Sequence, residues 1–279
     1  MEICRTVTQL KSAIAARRDR GDVGFVPTMG ALHAGHASLI ERCTKENATS
    51  VVSVFVNPTQ FNDPDDLKNY PRTEAADLAI LEDKGCDIAF LPTVEEIYPE
   101  PDTRVFDFGT IGSVMEGEHR PGHFNGVAQV VSRLFDMVEP DKAYFGEKDF
   151  QQIAIIRSMC RQTGSKVIIV DCPIKREDDG LAMSSRNTLL SAEQRAAAPA
   201  IHMTLAASVA RKEWADVEET KKWVIEQIDS NELMKVEYYD IVDASTLQSI
   251  DSWNHEGAVY GCIAVQVGRV RLIDNIKYK

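Results

Sequence analysis

The feature that most constrains the fold is an alternation of short apolar runs with longer amphipathic stretches up to about residue 172. Several of the runs are apolar on both faces, as parallel strands covered by helices must be. They are DVGFVP (22–27), TSVVSVFV (49–56), DIAFLP (87–92), DKAYFG (141–146) and KVIIVD (166–171). The stretches between them predict helices over 8–19, 35–47, 73–85, 123–139 and 149–164. This order predicts an α/β fold with right-handed βαβ units and a doubly wound, Rossmann-like parallel sheet.

The pattern changes after residue 171. A polar, glycine-containing connection over 173–190 leads to Ser191 and Gln194, which are spaced as a capping box before an alanine-rich helix. A further helix near 216–230 and three strand-like runs follow, KVEYYDIVDA, AVYGCIAVQVG and RVRLIDNI, with a hairpin turn at Gly268. We therefore predict two domains, 1–175 and a small α+β domain over 176–279.

Charge and cysteine usage exclude several classes of protein. The 43 acidic and 31 basic residues give a net charge of −12, which argues against a general nucleic-acid binder. A local cluster of basic side chains can still bind an anionic substrate. No run of 18 apolar residues and no secretory leader are present, so we expect no membrane association. The six scattered cysteines, without a C-x-x-C pair, predict buried thiols in a reducing cytoplasm.

The strongest motif is PTMGALHAGH, residues 27–36, between a predicted strand and a predicted helix. It resembles a P-loop, but His36 and Ala37 occupy the positions of the required lysine and hydroxyl. Gly35 lets a phosphate approach the backbone at the start of the predicted helix. His33 and His36 are therefore candidate donors to phosphoryl oxygens. A pair of structural histidines or part of a metal site remains an alternative.

Four other segments carry candidate residues. Lys148 in GEKDFQQ (146–152) follows an apolar strand and is a candidate phosphate ligand, although the segment taken alone is more typical of an ordinary charged helix start. DGLAMSSRN (179–187) is either a loop that closes over a triphosphate or a solvated linker. FVNPTQF (55–61) places the amides of Asn57 and Gln60 where a polar organic ligand would bind. EGEHRPGHFNGV (116–127) is a lid or a connection.

The H-x-G-H turn followed by a distant M-S-S-R loop resembles the HIGH and KMSKS pair of class I nucleotidyltransferases and tRNA synthetases. The five motifs PTMGALHAGH, FVNPTQF, EGEHRPGHFNGV, YFGEKDFQQ and DGLAMSSRN, in this order over residues 27–187, resemble the pantothenate synthetase (pantoate–β-alanine ligase) family. The resemblance implies an ATP-dependent ligase. Pantoate reacts with ATP to give pantoyl adenylate and pyrophosphate, and β-alanine then gives pantothenate and AMP.

The resemblance also implies residue roles. His36 is the transition-state donor, with His33, Lys148 and Arg186 as the other catalytic residues. Gln60 and Gln152 hold pantoate, Gln60 also holds β-alanine, and Asn57 lies close by. The first domain would bind nucleotide and pantoate, and the second would act as a lid. The ATP site is implied at Met29, Gly30, Ala31, Leu32, His33, Ala34, Gly35, His36, Gly146, Glu147, Lys148, Asp149, Lys175, Met183, Ser184, Ser185 and Arg186.

Two features depart from the family pattern. Lys175 stands where the family often has an apolar residue that contacts the nucleotide through its backbone, so the surroundings become more cationic. No carboxylate cluster for a protein-held Mg²⁺ is evident, and only Asp77 has a plausible place. We therefore expect no protein metal ligands and a Mg²⁺ ion carried by the phosphates of ATP. By analogy with the family, the chain is expected to form a homodimer.

Three other functions are compatible with parts of this pattern. Another H-x-G-H adenylyltransferase would need more cations for a phosphorylated second substrate, whereas the amides here favour a small hydroxy acid. A nucleotide-sensing module would not require both the histidine pair and a second phosphate loop. A metal-dependent hydrolase would use His33, His36 and His123 as ligands.

Overall fold

The computed structural model describes all 279 residues as two compact units. The first unit comprises Met1–Phe108, Arg120–Glu147 and Gln152–Pro173. The second comprises Gly109–His119, Lys148–Gln151 and Ile174–Lys279. The assignment of nucleotide and pantoate binding to residues 1–175, and of a lid to 176–279, stays a prediction. Nothing in the sequence indicated that residues 109–119 and 148–151 group with the C-terminal part of the chain.

The strands form a six-stranded parallel sheet in the first unit and a three-stranded antiparallel sheet in the second, which confirms the predicted fold class. All five strands predicted in the N-terminal part are present, and a short edge strand at the N-terminus was missed. The strands are β1 Glu2–Cys4, β2 Val23–Thr28, β3 Thr49–Val54, β4 Ile88–Phe90, β5 Lys142–Gly146, β6 Ile168–Cys172, β7 Met234–Asp243, β8 Val259–Val267 and β9 Val270–Lys277.

The short helices Pro64–Asn69, Val94–Ile97 and Glu116–His119 were not predicted, and the alanine-rich helix after Ser191 is divided into Ala192–Ala197 and Ala200–Arg211. The five helices predicted in the N-terminal part are all present, but the first one is shorter than predicted. It ends at Ala15 and not at residue 19, because the apolar pattern stops there and charged residues follow. The helices are α1 Val7–Ala15, α2 Ala34–Glu46, α3 Pro64–Asn69, α4 Glu74–Asp83, α5 Val94–Ile97, α6 Glu116–His119, α7 His123–Val138, α8 Phe150–Thr163, α9 Ala192–Ala197, α10 Ala200–Arg211 and α11 Val217–Asp229.

The order of the parallel sheet, β1-β4-β3-β2-β5-β6, places the candidate residues of the first unit. From β2 the chain proceeds to β3 and β4 on one side, and later to β5 and β6 on the other. The strand order therefore reverses between β2 and β5. Ligands of such sheets bind at the carboxyl ends of the strands at this switch point. The H-x-G-H turn follows β2, and Gly146 ends β5.

The second unit is built on the β7-β8-β9 meander. Val267 pairs with Val270, so Gly268 and Arg269 form a two-residue hairpin turn, and Gly268 has a φ of +60°. The side chains of Ser191 and Gln194 form the predicted capping box at the start of α9. Buried residues of α10, α11 and all three strands form one apolar core, including Leu205, Val224 and Ile263.

All six cysteines are buried and none forms a disulfide, as predicted. No helix in the structure is both long enough and apolar enough to cross a membrane.

Candidate active site

The turn between β2 and α2 is held by a single buried carboxylate. Gly30 and Ala31 have positive φ angles of 81° and 50°, a conformation that costs a non-glycine residue about 1–3 kcal/mol. The N–H groups of Ala31 and Leu32 donate to the two carboxylate oxygens of Asp77, at 3.0 and 2.8 Å. Thr73 Oγ1 donates to the same carboxylate at 3.0 Å, and Asp77 is only 1% exposed. Asp77 therefore stabilises a strained turn, a role that the sequence did not reveal.

The two histidines of this turn orient each other at the start of α2. His33 is the N-cap residue, and its Nδ1 accepts a hydrogen bond from the N–H of Gly35 at 3.1 Å. The N–H of His33 donates to Nδ1 of His36 at 3.4 Å, and the ring centroids lie 4.1 Å apart. A neutral imidazole that accepts at Nδ1 carries its proton on Nε2. Both rings are thus set to donate from Nε2 at a helix N-terminus, where anions are stabilised.

Asn57 holds the side chain of Gln60 beyond the end of β3. Asn57 is 1% exposed, and its Nδ2 donates to Oε1 of Gln60 at 3.1 Å. Its Oδ1 accepts from the hydroxyl of Tyr98 at 2.9 Å, and burial raises the pKa of that phenol, which keeps it a donor. Gln60 Nε2 in turn lies 3.2 Å from Sδ of Met29 in the H-x-G-H turn.

Helix α7 packs closely against this segment. A Cβ atom on Gly126 would lie 2.4 Å from the carbonyl oxygen of Thr59, so only glycine fits there. The Gly126 carbonyl accepts from Asn57 Nδ2 at 3.2 Å, and His123 Nδ1 lies 2.8 Å from the carbonyl oxygen of Gln60. Residues 120–127 of the EGEHRPGHFNGV segment therefore support the backbone and side chain of Gln60.

The GEKDFQQ segment is divided between the two units. Gly146 ends β5, and Glu147 and Gln152 also belong to the first unit. Lys148 and Asp149 belong to the second unit, and Nζ of Lys148 lies 3.9 Å from the Asp149 carboxylate. The Lys148 side chain is 21% exposed.

Residues 175–187 form a small hairpin followed by a short 3₁₀ helix. Met183 donates its N–H to the carbonyl of Lys175 at 3.0 Å, and Glu177 donates to the carbonyl of Leu181 at 2.8 Å. The hydroxyl of Ser184 accepts from the N–H of Arg186 at 3.3 Å and caps the 3₁₀ helix Ser185–Leu189. This segment has more regular structure than the loop or solvated linker that its composition predicted.

The predicted residues thus form two groups. In the first unit, Met29–His36, Asn57, Gln60, Gly146, Glu147 and Gln152 follow the carboxyl ends of β2, β3 and β5. In the second unit lie Lys148, Asp149, Lys175, Met183, Ser184, Ser185 and Arg186. No three histidine, cysteine or acidic side chains come together as a metal site, so His33, His36 and His123 do not form the ligand set of a hydrolase.

Comparison with known proteins identifies the family of this chain. The model of the pantoate–β-alanine ligase family matches residues 2–277. This chain belongs to that family. A pantothenate synthetase of Porphyromonas gingivalis (strain ATCC 33277) is 59% identical over 280 residues, with 100% of both chains covered. One from Bacteroides thetaiotaomicron is 57% identical, with 100% of this chain and 99% of the relative covered.

Solved structures of the family have the same fold. The pantothenate synthetase of Thermus thermophilus gives a TM-score of 0.93 at 43% identity, covering 100% of this chain and 99% of that one. The pantoate–β-alanine ligase of Francisella tularensis, complexed with β,γ-ATP and β-alanine, gives 0.84 at 33% identity, covering 100% and 98%. The predicted family, fold and ATP-dependent ligase activity are therefore confirmed.

Proposed function

We propose that the H-x-G-H turn binds the phosphates of ATP and that His36 donates from Nε2 to a phosphate oxygen in the adenylation step. The observation that carries this proposal is the orientation of both imidazoles at the start of α2, where each accepts a backbone N–H at Nδ1. A donor fixed before the substrate arrives stabilises charge that develops in the transition state without reorganisation.

The reaction has two steps. An oxygen of the pantoate carboxylate attacks the α-phosphorus of ATP, the bond to the bridging oxygen of the β-phosphate breaks, and pyrophosphate leaves with the electron pair. The acyl carbon of pantoyl adenylate is then attacked by the neutral amine of β-alanine, AMP leaves, and the amine loses a proton. The first step is needed because a free carboxylate has no adequate leaving group.

We propose that ATP is bound by two sets of residues, of which the first lies in the motifs at 29–36 and 146–149 and the second in the segment 175–186. Met29–His36 and Gly146–Asp149 contact the nucleotide, and Lys148 neutralises phosphate charge. Lys175 contributes its backbone, and Met183–Arg186 provide further contacts, with Ser184 and Arg186 on the phosphates. The guanidinium of Arg186 offers paired donors that match phosphate oxygens. Ordering of residues 175–186 over ATP would exclude water from the acyl adenylate, which is prone to hydrolysis. This exclusion of water is the lid role proposed for residues 176–279.

Gln60 and Gln152 bind pantoate, and Gln60 also binds β-alanine. The support for this role is the network in which the side chain of Gln60 is held by Asn57 and lies beside Met29. Asn57 uses both heteroatoms within the protein, so we assign it the orientation of Gln60. The complex of the Francisella tularensis relative with β,γ-ATP and β-alanine supports ATP and β-alanine as substrates here.

A protein-held Mg²⁺ does not fit the residues present. The one carboxylate at a plausible place, Asp77, accepts hydrogen bonds from Ala31, Leu32 and Thr73. We propose that Mg²⁺ enters on the ATP phosphates, in keeping with its retention of water ligands. We also propose a homodimer, by analogy with the family, and a cytoplasmic location, which the six free, buried thiols favour.

Exchange of labelled pyrophosphate into ATP tests the proposed first step. We expect exchange when ATP and pantoate are present, without β-alanine, and no exchange when pantoate is replaced by phosphopantetheine or a mononucleotide. Exchange that does not need pantoate, or that requires β-alanine, would contradict the two-step reaction. Exchange supported by phosphopantetheine would favour a different adenylyltransferase.

A further inference from the structure

Two consecutive residues of β9, Asp274 and Asn275, contact both candidate phosphate-binding segments of the second unit. Successive side chains of a strand point to opposite faces of the sheet, so each residue serves a different neighbour. Both are buried, at 5% and 4% exposure. A buried carboxylate and a buried amide in one strand are costly unless each is satisfied by a partner.

Asp274 anchors the hairpin that leads to the M-S-S-R residues. Its carboxylate accepts two hydrogen bonds from the guanidinium of Arg176, at 2.7 and 2.9 Å. Arg176 also donates to the carbonyl of Gly180 at 3.2 Å, and it pairs with Ala182 in an isolated bridge. The ion pair therefore ties both limbs of the hairpin to β9, directly before Met183.

Asn275 anchors the backbone of Lys148. Its Nδ2 donates to the carbonyl oxygen of Lys148 at 3.2 Å. The neighbouring Phe150 stacks on Tyr260 of β8, with ring centroids 4.3 Å apart and planes 23° apart. The segment 148–151 is thus fixed to the antiparallel sheet by one polar contact at Lys148 and one aromatic contact two residues later.

We propose that Asp274 and Asn275 are positioning residues for the adenylation step, Asn275 through Lys148 and Asp274 through the residues 183–186. Adjacent positions on one strand set the spacing between the ammonium of Lys148 and the M-S-S-R loop. The proposal rests on the proposed function, because it requires that Lys148 and Arg186 bind the phosphates of ATP. It adds two residues that touch no substrate and act through those that do.

A double-mutant cycle in the full-length enzyme tests the role of Asn275. Asn275→Ala should lower the rate of pantoate-dependent pyrophosphate exchange roughly 3- to 10-fold, the effect of losing one neutral hydrogen bond. If Asn275 acts through Lys148, the double variant with Lys148→Ala should be no slower than Lys148→Ala alone. Asn275→Leu, which keeps the size but loses the donor, should behave like Asn275→Ala.

Thr220→Ala is the matched control. Thr220 is fully buried in the same unit and donates a 2.7 Å hydrogen bond to the carbonyl of Asp216. It should lower the melting temperature about as much as Asn275→Ala but leave the exchange rate unchanged. A comparable loss of rate in Thr220→Ala would show that Asn275 contributes only stability.

The cycle tests the phosphate role of Lys148 and the positioning role of Asn275 separately. Full activity of Lys148→Ala would overturn the phosphate role of Lys148, and the positioning role of Asn275 would fall with it. A slow Lys148→Ala variant combined with a multiplicative loss in the double variant would overturn the positioning role alone.

The same design applies to Asp274. Asp274→Asn keeps the shape but removes the charge that holds Arg176, and its effect on exchange should disappear in the background of Arg186→Ala. Multiplicative losses would overturn the role of Asp274 in placing the M-S-S-R loop.

Discussion

The H-x-G-H turn and the hairpin before the M-S-S-R residues are held in different ways. The turn is fixed by backbone N–H groups that donate to the buried carboxylate of Asp77. The hairpin is anchored at its base by the ion pair of the half-buried Arg176 with the buried Asp274. Its tip is tied by Asp179 and Arg195, whose side chains are 42% and 35% exposed. Exposed pairs contribute only about 0–1 kcal/mol. The turn is therefore preorganised, whereas we propose that the tip of the hairpin rearranges when ATP binds.

The largest expected effect is that of a substitution in the preorganised H-x-G-H turn. His36→Ala should lower kcat about 10²–10³-fold, because it removes a fixed donor to charge that develops on the phosphates. The melting temperature should stay close to that of the unmodified enzyme. His255→Ala, which removes a histidine paired with Asp243 in the second unit, is the control and should keep the full rate. Near-normal turnover of His36→Ala would remove the catalytic role of this histidine.

Arg186→Ala should have the next largest effect. Loss of a charge-assisted phosphate contact of about 1.5–3 kcal/mol corresponds to about 10- to 100-fold slower adenylation in single-turnover experiments. Arg186→Lys should restore part of the rate, because lysine keeps the charge but lacks the paired donors. The exposed Arg269 in the β8–β9 turn provides the control Arg269→Ala. Equal rates for Arg186→Ala and this control would leave the segment as a connection only.

Asp77→Asn tests whether the turn depends on its carboxylate. The amide would present donors to the N–H groups of Ala31 or Leu32, so we expect kcat to fall about tenfold, as for loss of one charged hydrogen bond. Asp87→Asn is the matched control, since Asp87 accepts 2.8 Å bonds from the N–H and hydroxyl of Ser50 at the start of β3. It should lose comparable stability in thermal unfolding but retain kcat. The same kcat for both variants would contradict the positioning of the turn by Asp77.

The smallest expected effects are those of the glutamine variants on the use of pantoate. Gln60→Ala and Gln152→Ala should each raise the KM for pantoate about 2- to 10-fold, the range for loss of a neutral hydrogen bond. The Kd of ATP, measured by calorimetry, should change little. A comparable rise in the Kd of ATP would assign these amides to the nucleotide site. The residues that bind phosphates and the residues that bind pantoate would then not be separate.

Much of the fold follows from local patterns in the sequence. Runs that are apolar on both faces, with helix-length stretches between them, predicted five of the six parallel strands. The capping box of Ser191 and Gln194 predicted the start of α9. The missed strand, β1, has only three residues and pairs with β4 alone at the sheet edge. So short a run carries no period, and its conformation depends on a partner more than 80 residues away.

The supporting residues of the candidate site could not be predicted in the same way. Asp77 lies on a helical face among ordinary acidic residues, and its contact with Ala31 spans 46 positions. The link from Asn275 to Lys148 spans 127 positions. Neither residue belongs to a motif, because a positioning contact requires only one partner at the right place in the fold. The motif residues were recognisable because several of them stand together at strand and helix ends.

Amide hydrogen exchange measured on both regions in one sample tests the central distinction most directly. In the free enzyme, the N–H groups of Ala31 and Leu32 should already be protected, because Asp77 accepts from both. Addition of ATP and pantoate should leave that protection nearly unchanged and should slow exchange across residues 176–187. Exchange at 176–187 that does not respond to both substrates, or turn amides that become protected only when ATP binds, would contradict a preorganised turn beside a hairpin that orders on binding.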